Sequence, residues 1–378
     1  MIQNEKNKRN EIIDILKGIG IFCVVAGHCS LQRDTSPVIQ FIYLFHVAVF
    51  FIASGYCYNP SKTDAADTFK CGIARTFKKL WTPYVFWTIL FLALHNLFVN
   101  WNIYTDNPAI LQFVSGENIH TTNHLDTIII ISRMLKALVF LSGTQLTGPL
   151  WFLTTLLELI VLYQTIDFVL KKFFSKEKTF FIQSILSLVF LTIGYILSLK
   201  GIFLEGYARI PSFYILLHGG HFLKKYSVSE KNRTPIVHFI IWAVSFAILF
   251  ISNGIGSIEL SKNEYVNPLF LLISSFAGWQ FLYETSYFIK RFNPVQRALT
   301  YISKNAIPIL ALQFLSFKLV TAIAIKINGH HDFELAAFPV LYDNGFWWLP
   351  YTIVGIAVPC LINTIWGKIK KNCISKKN

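Results

Sequence analysis

Two apolar stretches near the start of the chain carry side chains that could do chemistry. The first runs from Asp14 to His28 and includes Lys17, and the second, at 38–58, includes His46. A charged or titratable side chain inside hydrocarbon costs several kcal/mol, so it is usually kept for function. Lys17 and His28 are eleven residues apart, which places them on one face of a helix, about 16 Å apart along its axis. Such a stripe fits a long anionic ligand whose reactive end is buried.

A histidine at the buried end of this stripe could take up a proton or attack as a nucleophile, since its reference pKa of about 6.5 suits a base at neutral pH. His28 is therefore the predicted catalytic base, and nucleophilic attack by its ring is the alternative. His46 or Glu158 could orient His28, although either could instead be structural. Asp14, three residues before Lys17, is predicted to hold that lysine.

A basic run precedes the third apolar stretch. If the run is helical, Arg75, Lys78 and Lys79 lie within about one turn of each other, and Pro83 marks the start of a membrane-spanning helix. These three side chains could clamp the phosphates of a ligand. They could equally be ordinary basic residues flanking a membrane span, beside a belt of interfacial aromatic residues.

The elements that must position these residues are apolar helices. Hydrophobic residues make up 54% of the 378, charged residues 14%, and the mean hydropathy is +0.50, values typical of polytopic membrane proteins. We predict an all-α fold in one membrane-embedded domain, 1–378. Its predicted spans, about ten in number, are 11–30, 38–58, 80–99, 149–170, 179–198, 208–223, 235–252, 266–288, 298–322 and 346–367. The six cysteines follow no metal-site or disulfide pattern, and no metal is expected.

The distribution of charge predicts the orientation. The net charge of +14 would suggest nucleic acid as a partner of a soluble protein, but here the lipid bilayer is the expected partner and nucleic acid is not. With the N-terminus inside, 24 Lys and Arg residues fall on inner segments and 6 on outer ones. This asymmetry predicts that both termini are cytoplasmic. The apolar second half of the long outer loop at 100–148 is predicted to be an amphipathic helix at, or dipping into, the outer face.

Several motifs, in order along nearly the whole chain, resemble those of acyltransferase family 3. They are the opening pair of stretches, the basic run before L-W-T-P-Y, G-P-L-W-F-L at 148–153, N-P-L-F at 267–270 and Y-I-S-K-N-A-I-P-I-L at 301–310. The branch that the chain resembles most is the fucose 4-O-acetylase-like one. These bacterial membrane enzymes transfer acyl groups, mostly acetyl, to hydroxyls of surface glycans.

The resemblance implies roles for particular residues. The family's motif of a basic residue separated from a histidine by ten residues falls on Lys17 and His28, and its Arg-x-x-Arg motif on Arg75 and Lys78, where lysine replaces the second arginine. His28 is then the catalytic residue, and the basic residues bind acetyl-CoA, reached from the cytoplasm. The ninth-span motif of the family often ends in histidine, where this chain has Gln313.

The sequence therefore predicts an O-acetyltransferase of the bacterial inner membrane. It would move acetyl from cytoplasmic acetyl-CoA to a sugar hydroxyl of a surface polysaccharide or of a lipid-linked precursor. The alternative is a transporter or flippase of a glycan or a small anionic solute. A transporter should show internal two-fold repetition and interrupted helices in corresponding halves, and the sequence shows neither.

Overall fold

The computed structural model describes residues 10–29, 36–105, 124–226, 233–329, 331–342 and 346–375, with side chains up to residue 370. Apart from a short antiparallel hairpin of β1 Ile258–Glu259 and β2 Glu264–Tyr265, these residues are all-α, which confirms the predicted fold class. The helices are α1 Glu11–Gly27, α2 Pro37–Tyr43, α3 Ala48–Tyr56, α4 Ala66–Ala93, α5 His95–Asn100, α6 Thr127–Ala137, α7 Trp151–Leu170, α8 Lys176–Leu199, α9 Arg209–Tyr226, α10 Pro235–Ile255, α11 Pro268–Ile289, α12 Asn293–Lys304, α13 Ala306–Asn328 and α14 Trp348–Ser375.

Six helical stretches among the described residues have the length and composition to cross a membrane. They are Pro37–Tyr56, Gln145–Leu170, Lys176–Leu199, Pro235–Ile255, Ala306–Asn328 and Trp348–Lys370. This supports a polytopic membrane protein. The other four predicted spans correspond to α1, α4, α9 and α11, so the count of ten stays a prediction. Residues 1–9 and 376–378, on which the predicted location of the termini depends, lie outside the described residues.

Three predicted spans have different boundaries in the structure. The second consists of α2 and α3, joined by a turn at 44–47. The third belongs to α4, where Pro83 is an interior residue rather than the start of a helix, because one missing backbone donor does not end a 28-residue helix. The ninth is divided at Asn305 into α12 and α13, so Lys304 ends α12 instead of lying within a span.

The chain forms two compact units. The first comprises Met1–Val24, Gln40–Arg75 and Glu158–Lys304, and the second comprises Val25–Ile39, Thr76–Leu157 and Asn305–Asn378. Helices α1, α2, α4 and α7 each contribute residues to both units.

In the first unit, α3 packs against α9 and α11, α9 also packs against α8, and α11 packs against α10. Glycines allow the α3 and α9 backbones to touch: a Cβ at Gly55 would overlap the carbonyl oxygen of Leu217, and one at Gly220 would overlap that of Ile52. Small residues at a contact of this kind let membrane helices approach closely. The N-P-L-F motif begins α11, where Asn267 Oδ1 accepts from the Phe270 N–H at 2.9 Å, so its asparagine is a helix cap.

In the second unit, α13 packs against α14 and against two 3₁₀ turns, Gln145–Leu150 and Asp332–Ala336. The first turn is fixed by a reciprocal cap, in which Thr147 N–H donates to Thr144 Oγ1 at 3.2 Å and Thr144 N–H donates to Thr147 Oγ1 at 2.9 Å. Its Gly148 lies against the ring of Phe314 on α13, which any Cβ would approach to 3.6 Å. The G-P-L-W-F-L motif therefore forms part of the wall beside α13.

The helix predicted in the long loop forms as α6, and the segment that contains it runs antiparallel along α4. Asn96 exchanges two hydrogen bonds with the backbone of Leu125, at 2.9 and 2.8 Å. Trp81 Nε1 donates to the Leu138 carbonyl at 3.0 Å, one of several such contacts near that end of α4. Asn96 is on α5 and Trp81 is on α4, so the segment follows both helices. Its location at the outer face stays a prediction.

Candidate active site

His28 lies in the turn that follows α1, and a glutamine holds its ring. Since α1 ends at Gly27, His28 is not on the helix itself, contrary to the predicted helix at 11–30. His28 Nδ1 is 3.2 Å from Oε1 of Gln313 on α13. An amide oxygen only accepts, so Nδ1 carries the proton and the neutral ring has its lone pair on Nε2. This is a tautomer that can act as a general base.

Packing within the second unit holds the His28 ring and its turn. The ring of Phe314 meets that of His28 edge-on, with centroids 5.1 Å apart. The next residue, Cys29, is buried, and its Sγ lies 3.1 Å from the Val25 carbonyl and 3.5 Å from Thr352 Oγ1 on α14. His28 itself is half-buried. The arrangement combines a fixed ring with partial access, as a general base requires.

A buried lysine on α13 supports this packing. Lys318 is 4% exposed, and its Nζ donates to the carbonyls of Leu335 at 2.9 Å and Ala337 at 2.6 Å. It thereby ties the 3₁₀ turn at Asp332–Ala336 to α13. Phe338, just beyond that turn, packs on Phe314 with ring centroids 4.6 Å apart. Lys318, Trp101, Leu319 and Val358 also line an apolar cavity of about 400 Å³.

The residues predicted to bind the donor lie on α1 and α4. Asp14 is buried, and Lys17 is half-buried in the first unit. Arg75, Lys78 and Lys79 all lie on α4 and are exposed, which confirms that the basic run is helical. Because residues three and four apart lie on one face of a helix, their charges form one patch. Lysine at 78 offers no bidentate fork for a phosphate, so Arg75 is the single bidentate donor of this patch.

In the first unit, His46 and Glu158 each interact with neighbouring groups of the protein. His46 lies in the turn between α2 and α3, where Nδ1–H donates to the Ile42 carbonyl at 3.1 Å. Glu158, half-buried on α7, lies within electrostatic range of Arg209. Arg209 donates to the carbonyls of Gly206 at 2.9 Å and Ser261 at 3.0 Å. The structure thus supplies the cation that a deep carboxylate needs, while the predicted orienting roles of both residues stay predictions.

A buried carboxylate that the sequence analysis missed organises one end of the first unit. Asp167 on α7 is 3% exposed. It accepts from the Tyr58 hydroxyl at 2.7 Å, from Gln183 Nε2 at 2.8 Å and from the Thr63 hydroxyl, and it pairs with Lys171 Nζ at 2.9 Å. These residues come from α7, α8 and the connection between α3 and α4. The i,i+4 spacing of Asp167 and Lys171 was the available sequence signal.

Two histidines of α9 form a hydrogen-bonded chain whose direction can be deduced. Ser184 Oγ donates to the Phe180 carbonyl at 3.0 Å, so it accepts from His218 Nε2–H at 2.8 Å. Neutral His218 then accepts on Nδ1 from the Tyr163 hydroxyl at 3.1 Å, and His221 Nδ1–H donates to that hydroxyl at 2.8 Å. Both nitrogens of His218 are therefore engaged inside the protein, which indicates a structural histidine.

A third polar cluster joins α10 to α11. His238 and Glu284 are fully buried, with Nδ1 and Oε2 2.5 Å apart. Gln280 Nε2 donates to the other carboxylate oxygen of Glu284 at 2.6 Å, and the ring of Tyr287 stacks on His238 at 3.7 Å. Sequence reasoning had no signal for this pair, because its members lie 46 positions apart on different helices.

A family model described as an acyltransferase domain matches residues 10–364, which is most of the chain. No curated protein and no solved structure gave a significant match.

Proposed function

The chain belongs to the acyltransferase 3 family, and from this premise we propose that it is an O-acetyltransferase of the bacterial cytoplasmic membrane. It moves an acetyl group from cytoplasmic acetyl-CoA to a sugar hydroxyl of a surface polysaccharide or of its lipid-linked precursor. Family membership supports acyl transfer by a membrane enzyme and disfavours the transporter alternative. The motifs quoted above support the fucose 4-O-acetylase-like branch.

The hydrogen bond between His28 Nδ1 and Gln313 carries the proposed mechanism. It leaves the lone pair of neutral His28 on Nε2, which takes the proton of the acceptor hydroxyl. The acceptor oxygen forms a bond to the thioester carbonyl carbon, and the carbon–sulfur bond then breaks. The thiolate of coenzyme A leaves and takes up the proton from the His28 imidazolium. The products are the O-acetyl ester and free coenzyme A, and His28 returns to its neutral form.

The basic residues of α1 and α4 hold the donor. Lys17 and the exposed patch of Arg75, Lys78 and Lys79 supply positive charge for the phosphates of acetyl-CoA. Asp14, buried one turn before Lys17, keeps that lysine in place. His46 and Glu158 serve as supporting residues of the site. No metal is part of this proposal.

The membrane arrangement belongs to the same proposal. The chain forms one domain with about ten spans and both termini in the cytoplasm. The six apolar helical stretches and the excess of Lys and Arg on alternate connections support this arrangement.

The test is the O-acetyl content of the surface glycan, measured by NMR in a deletion strain. The strain is complemented with wild type, His28→Ala or the control His124→Ala, whose side chain is exposed. We expect wild type and His124→Ala to restore O-acetylation and His28→Ala to leave it absent. Blots verify that all three proteins reach the membrane.

A parallel measurement follows label from radioactive acetyl-CoA to lipid-extracted and polymer fractions with the purified protein. Restoration of O-acetylation by His28→Ala would show that His28 is structural. Failure of wild type to change the glycan or to bind acetyl-CoA would remove the proposed reaction as a whole.

A further inference from the structure

Helix α12, Asn293–Lys304, differs from every neighbouring helix in its burial and its charge. None of its residues is buried. The segment from Lys290 to Lys304 carries four basic residues, and the sequence has no Asp or Glu between Glu284 and Asp332. A twelve-residue helix without a buried side chain gains little from packing inside the protein. Much of its surface is therefore open to contact with something outside the protein.

The two faces of α12 have different chemistry. Val295, Leu299 and Ile302 recur at spacings of four and three, and so form one apolar stripe. Arg297 and Lys304, seven positions apart, lie on the opposite face, and both are exposed. Val295 is 47% exposed, and Leu299 and Ile302 are half-buried, so the described residues cover the stripe only in part. A helix with an apolar stripe and a basic face is the form that lies in a membrane interface.

The position of α12 in the chain indicates the same surface. It ends one residue before α13, which has the length and composition of a membrane span. A helix at the end of a span lies at the depth of the lipid headgroups. At that depth, each juxtamembrane basic residue raises the affinity for anionic headgroups about fivefold.

We propose that α12 docks on the anionic phospholipid headgroups of the adjacent leaflet, with its apolar stripe in the bilayer and Arg297 and Lys304 on the phosphates. The partner is a lipid surface, and this role is independent of the acyl-transfer reaction. The docked helix also supports α1, because a Cβ at Gly18 would overlap the carbonyl oxygen of Leu299.

The test is hydrogen exchange of the full-length protein in nanodiscs of phosphatidylcholine alone or mixed with phosphatidylglycerol. We expect the anionic lipid to slow exchange of the α12 amides in wild type by fivefold or more. Arg297→Gln/Lys304→Gln should lose this slowing. The control Lys368→Gln/Lys370→Gln removes the same charge from exposed positions of α14 and should behave as wild type.

Three outcomes would overturn the proposal. The first is equal slowing in wild type and in Arg297→Gln/Lys304→Gln. The second is an equal loss in the α14 control, which would make the effect one of total charge. The third is the same slowing when coenzyme A is added in neutral lipid, which would assign the basic face to the donor's phosphates. Val295→Glu supplies a second variant, and retention of the slowing there would exclude insertion of the apolar stripe.

Discussion

His28 and His218 both lie in polar clusters, but their ring nitrogens are used differently. His218 is 4% exposed, and hydrogen bonds inside the first unit engage both of its nitrogens. His28 is half-buried, and its bond to Gln313 fixes the proton on Nδ1 and the lone pair on Nε2. The same residue type is thus a cross-link at 218, whereas at 28 the hydrogen bond fixes the tautomer that the proposed base requires. If the proposed function is correct, the use of the ring nitrogens, rather than burial in a membrane helix, separates the two roles.

The largest expected effect separates catalysis from stability at His28. His28→Ala should lower the rate of acetyl transfer by roughly 10² to 10⁴ fold, the usual contribution of a general base. The thermal stability of this variant in detergent should stay close to that of wild type, because the substitution removes only a half-buried ring. Radiolabel transfer and fluorescence-detected thermal denaturation, on the same preparation, measure the two quantities. A large loss of stability with a proportionate loss of activity would erase the distinction from His218.

Asp167→Ala tests a structural polar cluster of the first unit instead of the candidate base. Removing the carboxylate takes away the acceptor shared by Tyr58, Thr63 and Gln183, while Lys171 keeps the Pro60 carbonyl and Asp64 as partners. We expect a loss of about 3 kcal/mol in the free energy of unfolding, the lower end of the effect of removing one partner of a buried ion pair. The fraction that remains folded should transfer acetyl at the wild-type rate. A stable Asp167→Ala protein that is inactive would instead place Asp167 in the reaction.

Gln313 can be varied to test the orientation of His28. Gln313→Leu removes one hydrogen bond, worth about 1 kcal/mol, so we expect a rate reduction of roughly fivefold. Gln313→His keeps a side chain that can accept from Nδ1–H and should retain most of the activity. The measurement is the pH profile of kcat. A change in the orientation of His28 should alter the plateau value of kcat. Equal activity of all three proteins would mean that Gln313 does not orient His28.

The smallest expected effect is at Asp64, an exposed carboxylate. A hydrogen bond from Lys176, with a further one from Lys171, holds the pKa of Asp64 below its ordinary value of 3.8. A carboxylate with a lowered pKa stabilises the folded state above its unfolded pKa, and this stability is lost as pH falls through the folded pKa. Asp64→Asn should therefore be slightly less stable than wild type at neutral pH and equal to it in strong acid. Thermal denaturation across that range measures the difference, and a difference that does not change with pH would contradict it.

The sequence was sufficient for the fold class and for part of the site. Apolar length and charge asymmetry predicted an all-α membrane protein, because the bilayer imposes both patterns on every span. The spacing of Arg75, Lys78 and Lys79 predicted a helical patch, which α4 confirms. These features are local, so a single stretch of sequence contains them.

The remaining features depend on contacts between distant parts of the chain. Gln313 lies 285 positions from His28, and no periodicity relates the two. The clusters around Asp167 and Glu284 likewise bring together helices far apart in sequence. Pro83 and Asn305 show a second limit of the sequence. Pro83 predicts the start of a span but lies inside α4, and no pattern predicts the division between α12 and α13 at Asn305. Both outcomes depend on the contacts that surround these residues.

The contact of α3 with α9 limits how the first unit can move. At Gly55 and Gly220 the two backbones leave no room for even a methyl group. Sliding one helix along the other by a turn, about 5.4 Å, would bring larger side chains into these gaps. The pair must therefore travel as one rigid body in any catalytic cycle, and conformational change has to come from hinges at the ends of these helices.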